Sequence, residues 1–257
     1  KKNYERIRKK TIRIILMKLN SYKLDSGAFV VPKADVWINK SLQKYGHWEK
    51  ELVQLVKQHT NENSIVIEVG SHIGLHTVPI AKHVKWVYSF EMQRRISQVL
   101  STNLVCNDIA NVTVYNEACS NSNRIVNLAE VDYDAHGDEE INTGNVHLQE
   151  IEKNANYMSP VNIVKLDDKL KNIKDLHLIK CDAETHDDKV LEGAKELINK
   201  FKPVILTEFY NHKCKWGDGN MHNIINMFTD YNFKQFRAEY IFDDKKIWEH
   251  NMIGIPK

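Results

Sequence analysis

The stretch Ser64-Ile-Val-Ile-Glu-Val-Gly-Ser-His-Ile-Gly74 decides how this chain folds. Ile65, Val66 and Ile67 form a short apolar run that reads as a buried strand, and Gly70 breaks it. Gly74 follows inside a helical pattern with Leu75, Val78, Pro79 and Ala81. Strand, glycine turn and helix start together make a place where a ligand can approach backbone amides.

The rest of the chain repeats that unit. Strand 86–90 ends at Glu91, helix 93–107 carries Ile96, Val99, Leu100, Leu104 and Val105, and strand 112–118 follows. After a break come strand 176–181 ending at Asp182, helix 187–200, strand 203–209, helix 219–229 and late strands around 233–241 and 247–255. Such alternation predicts an α/β fold: a doubly wound, mostly parallel seven-stranded sheet with helices on both faces. The last two strands, joined at Asp243-Asp244-Lys245, predict an antiparallel hairpin at one edge.

Residues 1–45 read as an N-terminal extension ahead of a main domain over 46–257. Its first 20 residues hold eight Lys/Arg around Ile7, Ile12, Ile14, Ile15 and Leu16, a basic amphipathic helix. A hairpin is expected over Ala28–Val31 and Val36–Asn39, and a helix over Trp48–Gln58. Residues 119–165 interrupt the rhythm with Asp132, Asp134, Asp138, Glu139 and Glu140, and read as an insertion at the carboxyl edge of the sheet. Strand-like pieces at Ile125–Glu130 and Asn145–Gln149 suggest a hairpin within it.

Composition sets the boundaries. The 257 residues, 42% hydrophobic and 27% charged, are those of an ordinary globular chain. With 36 Lys/Arg against 34 Asp/Glu, the charge argues for neither a nucleic-acid nor a membrane surface. No apolar run approaches the ~20 residues of a membrane span. Cys106, Cys119, Cys181 and Cys214 lack metal or disulfide spacing, which suits small core thiols in a reducing, cytoplasmic setting.

Chemistry concentrates at the strand ends. Glu68, Glu91, Glu117, Asp182 with Glu184, and Glu208 all close apolar strands, and in an open α/β sheet these ends face one crevice. The spacing Glu68-x-Gly70-x-x-x-Gly74 departs from the dinucleotide pattern and suits S-adenosylmethionine instead. Glu91, about 20 residues beyond Gly70, is placed to accept ribose hydroxyls, with Met92 beside an adenine; its alternative role is a helix-start acid. His72 lies within the glycine turn. In Lys180-Cys-Asp-Ala-Glu-Thr-His-Asp-Asp188, the acids and His186 suit a general base, divalent-cation ligands or helix caps. Asp187 and Asp188 fit the caps best and Asp182 the chemistry, while Glu184 fits both.

In this order the motifs resemble the FkbM family of class I S-adenosylmethionine-dependent methyltransferases. The resemblance runs from Tyr45-Gly-His-Trp-Glu49 through Glu68-Val-Gly-Ser-His-Ile-Gly74, Phe90-Glu91-Met92, Asn103-Leu-Val-Cys-Asn107, Ala118-Cys-Ser120 and Val161 to Asp168. It continues with Ile179-Lys-Cys-Asp-Ala-Glu-Thr-His-Asp187, Val190-Leu-Glu-Gly-Ala194 and Pro203 to Glu208. Ser71-His72 stand for the family's Ala-Asn, Met92 for its Pro, and Thr185 for its Gly. The resemblance implies O-methylation of a sugar, glycan or small-metabolite hydroxyl. Glu68, Gly70, Ser71, His72, Gly74, Glu91, Met92, Glu117, Ala118 and Asp182 are the candidates for holding the methyl donor. Asp182, Glu184, His186 and Glu208 are the candidate proton acceptors, with or without a divalent cation. An RNA ribose 2′-O-methyltransferase using Lys180, Asp182 and Glu208, and a catalytically retired scaffold, are the alternatives; oligomer formation stays open.

Overall fold

The computed structural model describes residues 17–129, 158–208, 221–242 and 245–257. Most of the expected basic helix, the Asn145–Gln149 piece and Cys214 lie outside these residues.

The strand at the opening stretch is β3 (Ile65–Val69), the third described strand after β1 (Leu19–Leu24) and β2 (Gly27–Pro32). Chain order then runs through β4 (Trp86–Phe90), β5 (Val112–Tyr115), β6 (Ala118–Cys119), β7 (Arg124–Ala129), β8 (Met158–Val164), β9 (Leu178–Cys181), β10 (Val204–Glu208), β11 (Tyr231–Phe242) and β12 (Lys245–Pro256). Helices α1 (Val36–Tyr45), α2 (Lys50–Gln58), α3 (Thr77–Ala81), α4 (Arg94–Cys106), α5 (Leu166–Lys169), α6 (Asp187–Glu192), α7 (Lys195–Phe201) and α8 (Met221–Met227) separate them.

Seven strands form one sheet in the order β11-β12-β10-β9-β3-β4-β5. The five contiguous strands from β10 to the edge strand β5 are parallel, and β12 and β11 add an antiparallel hairpin at the other edge, as the pattern predicts. β3 is followed in the chain by its neighbour β4, while its other neighbour β9 comes more than 100 residues later. The winding direction reverses between β3 and β9, which opens a crevice at their carboxyl ends.

Side chains alternate across this sheet. Ile67, Val69, Ile179 and Cys181 pack on one face with Val190, Leu191 and Ile198. Val66, Val87, Leu178 and Leu206 pack on the other with Leu52, Val56 and Ile80. In α4 the buried set Ile96, Val99, Leu100, Asn103 and Leu104 follows helical spacing.

Asn103 and Asn107 explain the Asn-rich helix end. Asn103 Oδ1 accepts from the Val30 N–H at 2.7 Å and its amide donates to Val30 O at 3.0 Å. Asn107 treats Ala28 in the same way, at 2.9 and 2.6 Å. Four helical residues rise about 6.0 Å and two strand residues about 6.6 Å, so an i, i+4 amide pair matches alternate residues of an edge strand. These bonds and the shared burial of Phe29, Val31, Ile38 and Leu42 with Ile96 and Leu100 bind residues 27–45 to the main core.

Several local expectations change. The N-terminal hairpin is β1 against β2, and Val36–Tyr45 is helical because Asp35 caps it, its Oδ1 accepting from the Ile38 N–H at 3.0 Å. Leu19 and Asn20 belong to β1, so the basic helix does not reach residue 20. The expected helix 187–200 divides at Gly193, where an added Cβ would lie 2.0 Å from Ser120 O. β7 pairs antiparallel with β8, and the other half of the expected hairpin, Asn145–Gln149, lies outside the described residues. The order β6-β8-β7 forms a separate small sheet beside the crevice.

Candidate active site

The cleft lies where β3, β4, β9 and β10 end. Gly70 makes its floor possible. At φ 75° it occupies the left-handed region, and a Cβ there would sit 1.8 Å from Asp182 O. Its N–H and that of Ser71 donate to Phe90 O, which ties the turn to β4.

Glu91 is buried at the end of β4, and backbone amides set both its oxygens. Oε2 accepts from the His72 N–H at 2.9 Å and Oε1 from the Gln93 N–H at 2.7 Å. Burial pushes its carboxyl up to about 7, against the pull of those two bonds. Met92 packs against the small sheet's core of Ala118, Leu128, Val161 and Ile163. Glu117, also at the cleft, is held by Lys169 at 2.8 Å.

Asp182, Glu184, His186 and Glu208 line the same cleft from the ends of β9 and β10, with β3 between these strands and β4. His186 Nε2 is 3.0 Å from Ser120 Oγ. Burial holds its imidazole below the usual range, with Arg124 and Lys189 reinforcing the shift and Asp188 opposing it. Glu184 and Thr185 both have left-handed backbones, at φ 49° and 73°. For β-branched Thr185 this conformation is strained, and it is the position where the FkbM pattern has glycine.

Under the floor is an ion network. Glu68 is completely buried, its Oε2 accepting from Thr77 Oγ1 at 2.7 Å and its Oε1 facing Lys180 Nζ at 3.9 Å. Lys180 reaches Asp182 Oδ2 at 3.3 Å. Burial draws the Lys180 ammonium down, but Asp182, Glu68 and Glu49 together outweigh it and hold it protonated. Burial raises Glu68 in spite of Lys180. His72 and His76 are both lowered by burial, His76 well below its ordinary value, so both imidazoles are neutral at pH 7.

Eleven of the thirteen residues picked from the sequence line the cleft: Gly70, Ser71, His72, Glu91, Met92, Glu117, Ala118, Asp182, Glu184, His186 and Glu208. Glu68 and Gly74 do not. Glu68 points beneath the floor, and a Cβ on Gly74 would meet Leu100 at 2.5 Å, so that glycine serves packing. Asp187 is a buried support, accepting from the Ala183 N–H at 3.3 Å and Thr207 Oγ1 at 3.2 Å, and burial pushes it up to about 7. The sequence reading overlooks Trp37, Ile38, Trp48, Glu49, Leu75 and His76, which complete the wall on the α1–α2 side. Asp35 ahead of an apolar helix pattern was the available signal for α1.

With this geometry established, the Methyltransferase FkbM domain matches residues 68–235, about two thirds of the chain. The chain belongs to the FkbM methyltransferase family. Among solved structures, it is similar to the FkbM methyltransferase of Methylobacillus flagellatus KT, at 17% identity and TM-score 0.49, over 76% of this chain and 44% of that one. The chain thus spans less than half of that relative's length. It also resembles Trm5b from Pyrococcus abyssi, at 10% identity and TM-score 0.50, over 93% of this chain and 56% of that one. M. jannaschii TYW2 in complex with AdoMet aligns at 14% identity and TM-score 0.49, covering 93% and 86% of the two chains. A search of curated sequences finds no match. At 10% identity and a TM-score of 0.50, the likeness to Trm5b speaks for the fold alone. Among the described residues no three His, Cys, Asp or Glu cluster as a metal site, and no helix is long and apolar enough to cross a membrane.

Proposed function

We propose that this FkbM-family protein is an O-methyltransferase acting on a hydroxyl of a saccharide or small metabolite. The observation that carries the reading is one cleft lined by two groups of polar residues carried on strands either side of β3. On one side Glu91 presents a carboxylate already fixed by two backbone amides; on the other stand Asp182, Glu184, His186 and Glu208.

The first group fits the nucleoside end of S-adenosylmethionine. Each Glu91 oxygen keeps a lone pair beyond its backbone bond, which suits a vicinal ribose diol. Gly70, Ser71 and His72 would border the amino-acid end, and Met92, Glu117 and Ala118 the base. When bound, the cofactor supplies a methyl group activated by its sulfonium. The chain's own task is to align an acceptor oxygen and receive its proton, because a sugar hydroxyl is far too weak an acid to ionise first. A neutral His186 and the three carboxylates are groups able to accept it.

Two features favour a hydroxyl acceptor without phosphates over RNA. Lys180, which an RNA ribose methyltransferase would turn toward its substrate, is 2% exposed and committed to Glu68 and Asp182. The cleft is lined by carboxylates, including Glu49, Glu117, Asp182 and Glu208, which repel phosphate. The test has two parts. Calorimetry should show S-adenosylhomocysteine binding that Glu91→Ala weakens at least tenfold. Labelled methyl transfer should then appear on members of a saccharide and small-hydroxyl panel. Transfer to RNA alone would refute the acceptor class, and unchanged binding in Glu91→Ala would refute the cofactor placement.

A further inference from the structure

Ser120 is 1% exposed and lies at the end of β6, outside every role assigned above. Its position is fixed from two sides. The Ser120 N–H donates to Val164 O at 3.0 Å, and its carbonyl abuts Gly193 so closely that a Cβ there would lie 2.0 Å away. The small sheet and the α6–α7 corner therefore meet rigidly at this residue, and the Ser120 hydroxyl bridges them to His186.

A chain of hydrogen bonds from Glu192 bears on the direction of that bridge. Asn121 Nδ2 donates to Glu192 Oε2 at 2.8 Å. This bond holds the Glu192 carboxyl below its usual range, so at neutral pH Glu192 only accepts. The Asn121 amide must then turn its NH2 to Glu192 and its Oδ1 to Ser120. Ser120 Oγ donates to that Oδ1 at 3.4 Å, which leaves its lone pairs for the ring nitrogen of His186 at 3.0 Å. A neutral imidazole carries one N–H, and with Ser120 Oγ as its acceptor that N–H sits on Nε2.

We propose that Glu192, Asn121 and Ser120 are positioning residues that hold His186 as the Nε2–H tautomer, leaving Nδ1 to take the proton of the acceptor hydroxyl. This rests on reading the cleft as a methyltransferase site. In the balanced step the acceptor oxygen bonds the methyl carbon as its proton passes to Nδ1. The carbon–sulfur electron pair stays with sulfur as a neutral thioether, and the imidazolium later returns its proton to water. The charged groups facing the ring from its surroundings are Asp188 and Lys189 on α6 and Arg124 on β7. Asp188 favours the imidazolium formed in the step, while burial keeps the resting ring neutral.

The experiment is 15N NMR of the full chain at neutral pH, with the His186 signals identified by their loss in His186→Ala. The expected wild-type pattern is a single Nε2–H tautomer. Ser120→Ala should give a mixture of the two tautomers and a roughly tenfold lower kcat, with S-adenosylhomocysteine affinity unchanged. Glu192→Ala, at an exposed site that folding tolerates, frees Asn121 to turn over and should raise the Nδ1–H fraction by itself. An Nδ1–H wild type, or a tautomer unmoved in both variants, overturns the hydrogen-bond chain. Full turnover in His186→Ala overturns the assignment of the base. The tautomer is read on the protein without cofactor. Its failure is therefore distinct from a failure to bind S-adenosylhomocysteine, which would count against the cleft itself.

Discussion

Glu91→Gln preserves the shape of the side chain but turns one of its two oxygens into a donor. Both oxygens already accept a buried N–H, from His72 at 2.9 Å and Gln93 at 2.7 Å. Whichever way the new amide faces, one N–H meets another donor, at a cost of about 1–3 kcal/mol. A second effect has the opposite sign and depends on pH. Burial raises Glu91 from 4.5 to about 7, so between those values the native state holds a proton that the unfolded chain releases. The stability this contributes is complete below 4.5 and is lost as pH rises through 7. The difference corresponds to roughly 3 kcal/mol in full, of which about 2.5 kcal/mol falls between about pH 5 and about pH 8.5. Glutamine does not titrate. The variant should therefore be less stable than wild type by about 1–3 kcal/mol near pH 5, and the gap should close or reverse near pH 8.5. Urea unfolding of both proteins at the two pH values measures it. A gap that is the same at both would refute the account of Glu91 as a buried carboxylate costly to ionise.

Gly70→Ala should destabilise the protein by more than the about 1–2 kcal/mol of a left-handed alanine, because its Cβ would also push Asp182 O away from 1.8 Å. Thermal unfolding and S-adenosylhomocysteine calorimetry should fall together; binding retained at wild-type affinity would show that the turn does not shape the cleft. Lys180→Met leaves Glu68 and Asp182 without their buried cation and should cost about 3–5 kcal/mol. Adding Glu68→Gln should recover much of that loss, and strict additivity of the two substitutions in denaturant unfolding would disprove the coupling.

Much of the cleft could be read from strand ends. Glu91, Asp182 and Glu208 terminate apolar strands, and parallel strands of a doubly wound sheet leave their carboxyl ends on one side, so linear pattern sufficed to gather them. Orientation was not legible. Glu68 and Asp182 look alike in sequence, both ending strands beside each other. Yet Glu68 shares the face of Val66 and turns inward to Thr77 and Lys180, while Asp182 lies beyond its strand and borders the cleft. The α1 wall was missed because Val36-Trp37-Ile38 suits either strand or helix locally, and the Asp35 cap decides between them.

The sequence by itself determined the periodicities, the glycine turn at Gly70 and the ordered motifs of the FkbM family, because these depend on neighbours along the chain. Asn103 and Asn107 were visible as residues but not as the clamps of an edge strand, since their partners Ala28 and Val30 lie more than 70 positions away. The same holds for Ser120 and His186, 66 residues apart, whose contact exists only because the small sheet docks on the α6–α7 corner. Side-chain direction, burial and the proton each group carries depend on groups brought near by folding. Those were decided by the tertiary structure alone.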